Sequence, residues 1–343
     1  WGHRLQRTWI QPPGSTEGGR SSNLAAIETF ELTKHFESLV AVDRLDLAID
    51  REIFGLLGPN GSGKTTTVKM LTTLLAPTEG DATICGHSVI GDPLAVREQI
   101  SYVPQDMAVD PKLTGRENVI FFAKVYGVPR PREVADEALA MLDLAPRADD
   151  LVRTYSGGMR RRLELAQALV HDPAVLFLDE PTSGLDVQSR RIIRDVIQDL
   201  ARKNVTVFLT THAIEEANVT GDRVAIINRG VIAGIDAPEK LKQTIESLQS
   251  VEVSFDVVRP GVVEVLRALP QASGITKEGD KFRIYTADPP EILASLCALA
   301  QEQNLRPISI TTRGPSLEEV FVRLTGLSID TAKEEGGTDA GLD

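Results

Sequence analysis

The chain contains few cysteines, few aromatic residues and no long apolar run. Its 343 residues include two cysteines, Cys85 and Cys297, which are far apart and lack the spacing of metal ligands. This pattern argues against a disulfide and predicts two reduced thiols in a cytoplasmic protein. No segment approaches the roughly 20 consecutive apolar residues that a membrane-spanning helix needs. If the protein works at a membrane, another chain must therefore supply the spans.

Basic residues are outnumbered by acidic ones. The chain has 37 Lys and Arg against 49 Asp and Glu, which gives a formal net charge of -12. Nucleic acids and anionic membranes favour basic surfaces, so the composition predicts no nucleic-acid partner. A local phosphate site stays open, because backbone N–H groups and one lysine can suffice for it.

Alternating strand and helix patterns predict an α/β domain with a mainly parallel sheet at residues 24–245. A different texture at residues 246–327 predicts a small α+β appendage, which has no catalytic constellation. We expect the appendage to serve in dimer contact, in regulation or only as a stabilising extension. Residues 1–23 and 328–343 lack apolar periodicity and are predicted to be disordered. The strands predicted in the first domain are Ile27–Thr33, Val40–Ile49, Ile53–Leu57, Ile100–Val103, Ala174–Leu178 and Val205–Leu209.

A glycine-rich segment follows the predicted strand Ile53–Leu57. Its sequence, GPNGSGKT at Gly58–Thr65, fits the pattern G-x-x-x-x-G-K-[ST] between a strand and a helix. The glycines let successive N–H groups point at phosphate oxygens, and the following helix adds its positive dipole end. Lys64 is predicted to reach the β and γ phosphates of a nucleotide, and Thr65 to offer its hydroxyl to Mg²⁺. The predicted nucleotide-binding residues here are Gly58, Pro59, Asn60, Gly61, Ser62, Gly63, Lys64, Thr65 and Thr66.

Two carboxylates, Asp179 and Glu180, follow the apolar strand Ala174–Leu178. The carboxyl end of such a strand lies at the crevice edge where α/β proteins bind ligands. Asp179 is predicted to hold Mg²⁺, and Glu180 to polarise the attacking water as a general base. Taken alone, the pair could instead be a turn and helix cap.

Ser156, Gly157 and Gly158 open a predicted helix. Ser156 is a natural N-cap, and the two glycines permit close approach by an anion, although the segment by itself could be only a helix start. With Tyr155 and Met159 it resembles the LSGGQ signature of ABC ATPases, and it lies between the phosphate loop and the acidic pair, as in that family. The resemblance implies a P-loop NTPase of the ABC cassette type. It also implies a homodimer in which the signature of one copy closes over the ATP of the other.

Further landmarks of the family occur in its order. The resemblance implies that Gln105 is the Q-loop residue that senses Mg²⁺ and the attacking water. It implies that His212 is the switch histidine on the γ-phosphate, that Asp186 lies in the D-loop, and that Phe36 stacks on adenine. The implied catalytic residues are Glu180, His212, Gln105 and Lys64, and the implied Mg²⁺ ligands are Thr65, Gln105 and Asp179.

Two positions depart from the family's pattern. Glu37 follows Phe36 where members often have glycine, which weakens the adenine assignment. The run Asp50–Ile53 lacks the usual turn glycine, so we expect a non-glycine residue to take that turn at some cost in local stability.

A narrower resemblance links the chain to ATPase subunits of daunorubicin-resistance-type exporters. It is carried by Tyr155–Ala166, Leu113–Asn118 and Pro315–Gly326. It implies a separate ABC-2-type membrane permease, contacted through about Asp106–Asn118, and a place at the cytoplasmic face of the cell membrane. An importer motor and a non-transport ABC protein of translation or DNA repair are the alternatives, and the substrate is not indicated. Arg160–Arg162 is expected to be a solvated helix face rather than an anion-binding patch.

Overall fold

The computed structural model describes residues 25–244, 249–257 and 261–326, apart from the side chain of Glu278. The segments expected to be disordered, residues 1–23 and 328–343, lie outside the described residues. Both cysteines, Cys85 and Cys297, lie in the described residues and are free thiols. No helix of the described ranges is long and apolar enough to cross a membrane.

Fourteen strands occur in the described residues. In chain order they are β1 Ile27–Phe36, β2 Leu39–Ile49, β3 Ile53–Leu57, β4 Glu79–Ile84, β5 His87–Ser88, β6 Ile100–Val103, β7 Val175–Asp179, β8 Thr206–Thr211, β9 Arg223–Asn228, β10 Val231–Asp236, β11 Gln249–Phe255, β12 Gly274–Glu278, β13 Lys281–Thr286 and β14 Pro307–Arg313.

Eleven α-helices occur in the same ranges. They are α1 Lys64–Leu71, α2 Pro93–Gln99, α3 Gly115–Val125, α4 Pro131–Met141, α5 Gly157–Ala168, α6 Val187–Arg202, α7 Ile214–Thr220, α8 Pro238–Gln243, α9 Val262–Arg267, α10 Pro289–Glu302 and α11 Leu317–Thr325.

The central sheet has the strand order β10-β9-β3-β8-β7-β6, and all its strands except β10 run parallel. Every residue of β3, β7 and β8 is buried, as expected for strands covered on both faces. Phe208 stands between Phe54 and Phe177, with ring centres 5.4 and 5.5 Å away. The α/β class with a mainly parallel core is therefore confirmed.

Two apolar clusters cover the two faces of this sheet. Helices α3 to α6 form one cluster with Ile53, Leu178 and Leu209. An antiparallel sheet of order β2-β1-β4-β5 covers the other face together with α1 and α2. The strand register pairs Leu57 with Thr211 and Asp179 with Thr210, so the carboxyl ends of β3, β8 and β7 end at one edge.

The C-terminal part forms an antiparallel sheet of order β12-β13-β11-β14, whose apolar face packs on α9 and α10. Helix α11 does not join that cluster. Its Val320 and Phe321 pack with Leu57, Ala217 and Ile226 of the first domain. The last helix of the described residues is therefore part of the core that lies behind the phosphate loop.

Two expectations about local structure need comment. Glu37 takes the left-handed backbone (φ 48°) at the turn where glycine is usual in the family. The expected cost at the second turn is wrong, because Asp50, Arg51 and Glu52 all keep negative φ. An Asp50 carbonyl that accepts from the Glu52 N–H at 3.1 Å closes this turn without a glycine conformation.

The solvated face expected at Arg160–Arg162 is wrong for two of its three residues. Arg161 and Arg162 are buried, and Arg160 is half-buried. Burial is tolerated because each buried guanidinium donates hydrogen bonds to backbone carbonyls, with Arg162 bound to those of Leu142 and Asp143.

Candidate functional site

The loop between β3 and α1 is shaped by glycines. Gly63 has φ 107°, and a Cβ there would lie 2.5 Å from the carbonyl oxygen of Ala41. Gly58 is equally confined, since its Cβ would lie 2.4 Å from the Ile227 carbonyl oxygen. The chain thus turns tightly from strand to helix, with α1 starting at Lys64. This is the geometry in which backbone N–H groups surround a phosphate.

Lys64 lies inside this loop rather than on its surface. Its Nζ donates to the carbonyl oxygens of Gly58 and Pro59 at 2.8 and 3.0 Å. Burial lowers the pKa of Lys64, and the negative charges of Glu180 and Asp179 partly oppose that shift. Thr65 and Thr66, in the first turn of α1, are half-buried.

The acidic pair ends β7 at the same edge. Asp179 is buried, and its Oδ1 accepts from Thr210 Oγ1 at 2.5 Å, while its Oδ2 is buried without a hydrogen-bond partner. Such an acceptor is costly unless a ligand satisfies it. A hard cation that prefers oxygen ligands, such as Mg²⁺, fits this atom. Asp179 can therefore bind Mg²⁺, the role that the sequence predicts for it.

Glu180 occupies the centre of the site. Its backbone takes φ 50°, an uncommon conformation for a non-glycine residue, and its N–H donates to the backbone and side-chain oxygens of Thr210. One carboxylate oxygen lies 3.6 Å from Lys64 Nζ, and the other lies 2.6 Å from His212 Nδ1. The hydrogen bond to Glu180 raises the pKa of His212, against the opposing effect of burial.

The structure brings together Lys64, Asp179, Glu180 and His212. Gln105 lies apart from these contacts, in an exposed loop that follows β6. Phe36 is 43% exposed at the end of β1, and Lys34 Nζ lies 5.3 Å from its ring centre. An exposed ring on the sheet that borders the phosphate loop can stack on a base.

The signature segment forms a second, separate cluster. Ser156 caps α5 by accepting from the Met159 N–H at 3.2 Å, and Asp186 caps α6 by accepting from the Ser189 N–H at 2.8 Å. A Cβ on Gly158 would lie 2.1 Å from Ser189 Oγ, so glycine is needed for the two helix starts to pack. Among the described residues, no hydrogen bond or ion pair joins this cluster to the phosphate loop.

Several residues that hydrogen-bond to the site residues or to their neighbours belong to no sequence motif. Thr210 binds both Asp179 and Glu180, as described above. Glu216 is buried and accepts from Thr182 Oγ1 at 2.5 Å and from Thr211 Oγ1 at 2.8 Å, and burial raises its pKa. The available signal was the pair of threonines at the buried end of β8, where an apolar residue would be ordinary.

Comparisons with known proteins identify the family to which this site belongs. A family model described as "ABC transporter" matches residues 42–183. A daunorubicin resistance ATP-binding protein of Streptomyces coeruleorubidus is 38% identical over 301 residues, which covers 85% of this chain and 93% of that protein. A Nod factor export ATP-binding protein of Ralstonia nicotianae is 35% identical over 319 residues, covering 92% of this chain and 97% of that one.

Solved structures show the same fold. A dimeric ATP-binding cassette in a post-hydrolysis state, bound to ADP and phosphate, matches with a TM-score of 0.56 at 27% identity. The match covers 62% of this chain and 98% of that one, so more than a third of this chain lies outside it.

Proposed function

Because the chain belongs to the ABC transporter family, as an ATP-binding and ATP-hydrolysing subunit related to exporter ATPases, we propose that it drives export through a separate membrane permease. The observation that carries the ATP-hydrolysing part of the proposal is the convergence of Lys64, Asp179, Glu180 and His212 at one edge of the parallel sheet. Sequence similarity to whole exporter subunits, appendage included, supports the direction of transport.

The side chains of the site divide the chemistry between them. Lys64 binds the β and γ phosphates, with the N–H groups of the glycine loop around them. Glu180 accepts the proton of the attacking water, and His212 holds the γ-phosphate. Asp179, Thr65 and Gln105 would hold Mg²⁺, which would supply positive charge to the phosphoryl group in transfer. Fixed charges and positioning provide most of the rate enhancement in this type of reaction.

We propose that two copies of the chain form the ATP-bound dimer. Ser156 and Gly157 are exposed at the N-terminus of the 12-residue helix α5, away from the phosphate loop of their own chain. A helix N-terminus with a serine hydroxyl is suited to a phosphate anion. The dimeric cassette bound to ADP and phosphate, at 27% identity, supports the same assembly here.

We propose a groove beside the Gln105 loop as the contact for the permease. It lies between β6, α3 and α5 and encloses about 120 Å³, with Tyr102, Pro104, Phe122 and Tyr126 among its walls. Apolar side chains next to it are exposed, namely Met107, Phe121 and Val125. An exposed apolar patch of this kind is typical of a protein contact. We propose that an ABC-2-type permease inserts a cytoplasmic segment here, which places the chain at the cytoplasmic face of the membrane.

Replacement of Glu180 tests the hydrolytic assignment. Glu180→Gln keeps the size of the side chain and removes the base, so we expect ATP turnover to fall at least about a hundredfold while ATP binding persists. Glu215→Gln, on the solvent side of α7, is the matched control and should hydrolyse ATP as the native chain does. Rapid turnover by Glu180→Gln would refute the general-base role.

Recovery of the partner tests the transport assignment. The tagged chain is purified from gently solubilised native membranes, and the proteins that accompany it are identified. A stoichiometric polytopic membrane protein is the expected companion, and its nature distinguishes an exporter from an importer. Recovery with ribosomes or nucleic acid and no permease would leave the ATPase and refute the exporter proposal.

A further inference from the structure

Arg161 connects three parts of the site from within the core. Its guanidinium donates to the carbonyl oxygen of Asp179 at 2.7 Å and to that of Pro181 at 3.3 Å, on either side of Glu180. The same group donates to the carbonyl oxygen of Pro104, the residue before Gln105. One rigid fork therefore links the end of β7 with the start of the Gln105 loop.

Glu164 completes the connection from the next turn of α5. Its Oε2 pairs with Arg161 Nη1 at 3.1 Å, and its Oε1 accepts from the backbone N–H of Ala108. The loop that carries Gln105 is thus held on both sides, at Pro104 by the arginine and at Ala108 by the glutamate. Since the side chains of Arg161 and Glu164 are only 6% and 4% exposed, water does not replace these bonds.

Stability alone is a poor explanation for such a pair. Removing two charges from water costs several kcal/mol, and apolar residues of similar volume are often as stable in the same place. A planar guanidinium bound to three backbone carbonyls fixes a geometry, which an apolar pair would not. Here the fixed geometry is the distance between the Gln105 loop and the residues beside Glu180.

We infer that Arg161 and Glu164 are positioning residues that tie the Gln105 loop to the carboxyl end of β7, so that a movement of the loop reaches Asp179 and Glu180 through this ion pair. The inference rests on the proposed function, because the loop flanks the groove assigned to the permease. Neither residue belongs to the motifs by which nucleotide binding was assigned. From the sequence alone, Arg161 is expected on a solvated helix face, and Glu164 is given no role of its own.

The chain offers a matched control in Arg162. It is buried on the same helix one residue further on, and its guanidinium also binds two backbone carbonyls, but these belong to Leu142 and Asp143 after α4. Arg161→Lys and Arg162→Lys both keep the charge and lose the fork. A difference in kcat between the two variants therefore depends on which backbone carbonyls the guanidinium binds.

The experiment measures ATP hydrolysis, ATP binding and backbone exchange in the full chain. We expect Arg161→Lys and Glu164→Ala to lower kcat about tenfold with KM within about twofold, because binding by the phosphate loop is untouched while the catalytic geometry is loosened. Amide hydrogen exchange in residues 104–111 should become faster in both variants. Glu164→Gln retains an acceptor for the Ala108 N–H and should recover slow exchange in that segment.

Arg162→Lys should match the native kcat and the native exchange at residues 104–111, even where its melting temperature falls. Equal losses of kcat in Arg161→Lys and Arg162→Lys would overturn the inference, as would faster loop exchange with an unchanged kcat. A native chain that hydrolyses no ATP would instead refute the proposed function, and the exchange data would still decide whether the pair holds the loop.

Discussion

The carboxylate of Glu180 is shared between two basic side chains, Lys64 on one oxygen and His212 on the other. This arrangement predicts that the free energy of unfolding depends on pH through His212. His212 has a pKa raised above its ordinary value of about 6.5, chiefly by the hydrogen bond to Glu180. The pair therefore stabilises the folded chain fully below about pH 6.5, and the stabilisation is lost as pH rises through the raised pKa of the folded state.

We expect His212→Gln to lower the melting temperature of the nucleotide-free chain at about pH 6, and to lower it less at about pH 9. Thermal unfolding of both proteins across this range measures the difference. Since His212 is half-exposed, the effect will be modest. A difference in melting temperature that stays constant with pH would contradict the assigned pairing.

Gly63 permits a prediction that separates backbone strain from steric overlap. An alanine there would be strained at φ 107° and would also meet the Ala41 carbonyl at 2.5 Å. Gly127 has φ 66° with nothing within 4 Å of an added Cβ, so Gly127→Ala isolates the strain, which costs about 1–2 kcal/mol. We expect Gly63→Ala to lose nucleotide binding in a fluorescence titration, while Gly127→Ala is only less stable. Normal binding by Gly63→Ala would show that the loop tolerates displacement.

At the scale of elements, helix α11 illustrates how a short amphipathic segment gains stability from its surroundings. Ser316 and Glu319 form a capping box at its start, and Gly326 ends it in the left-handed conformation. Asn228 Nδ2 donates to the Thr325 carbonyl at 3.3 Å and fixes the far end. The face between these caps is buried against the first domain.

Phe321→Ala should therefore destabilise the nucleotide-binding domain itself. Phe321 is 2% exposed, and loss of a buried phenylalanine costs about 3–5 kcal/mol. Leu324 on the same helix is 38% exposed, so Leu324→Ala serves as the control with a smaller loss. Urea unfolding monitored by circular dichroism gives both values. A loss for Phe321→Ala well below this range, and no larger than that for Leu324→Ala, would mean that the packing of α11 contributes little.

The predicted elements were most accurate where the pattern was strongest. Ile53–Leu57 and Ile100–Val103 were predicted as strands with the bounds that the structure shows. The apolar pattern of helix α1 runs on to Leu75, yet the helix ends at Leu71, because Thr72 Oγ1 donates back to the Val68 carbonyl and Thr73 takes positive φ. Strands β9 and β10 were not predicted, since this hairpin at the sheet edge joins a short buried strand to a half-exposed one whose residues do not alternate between apolar and polar.

The functional residues also fall into two groups, those that the sequence identifies and those that it does not. Residues inside a motif, such as Lys64 and Glu180, could be nominated because their chemistry requires fixed spacing along the chain. Arg161 and Glu216 act through contacts that are distant in sequence, and no spacing rule identifies such partners. The expectation that arginines on a helix are solvated failed because burial depends on which carbonyls lie opposite them.

For the whole molecule, the proposed dimer rests on the separation of the phosphate loop from the Ser156–Gly158 cluster within one chain, since a second copy would bring the two together. Gly157 is exposed, and nothing lies within 4 Å of a Cβ added there. Gly157→Glu should therefore fold normally, yet place a negative charge where the phosphate of the partner chain is proposed to bind. We expect its melting temperature to match that of the native chain. In light scattering with ATP, Gly157→Glu combined with Glu180→Gln should be a monomer where Glu180→Gln alone is a dimer. A dimer of Gly157→Glu would contradict the head-to-tail assembly.

The position of α11 also has a consequence for biosynthesis. The ribosome makes Leu57 and Ile226 long before it makes Val320 and Phe321, which cover them in the finished chain. During that interval the new domain exposes an apolar surface directly behind its phosphate loop, and exposed surfaces of this kind favour aggregation. The appendage must be translated before this surface is covered. Translation that stops within the appendage therefore yields a chain that has every nucleotide-binding motif but lacks α11. Its apolar surface stays exposed, and chaperones and proteases act on such chains.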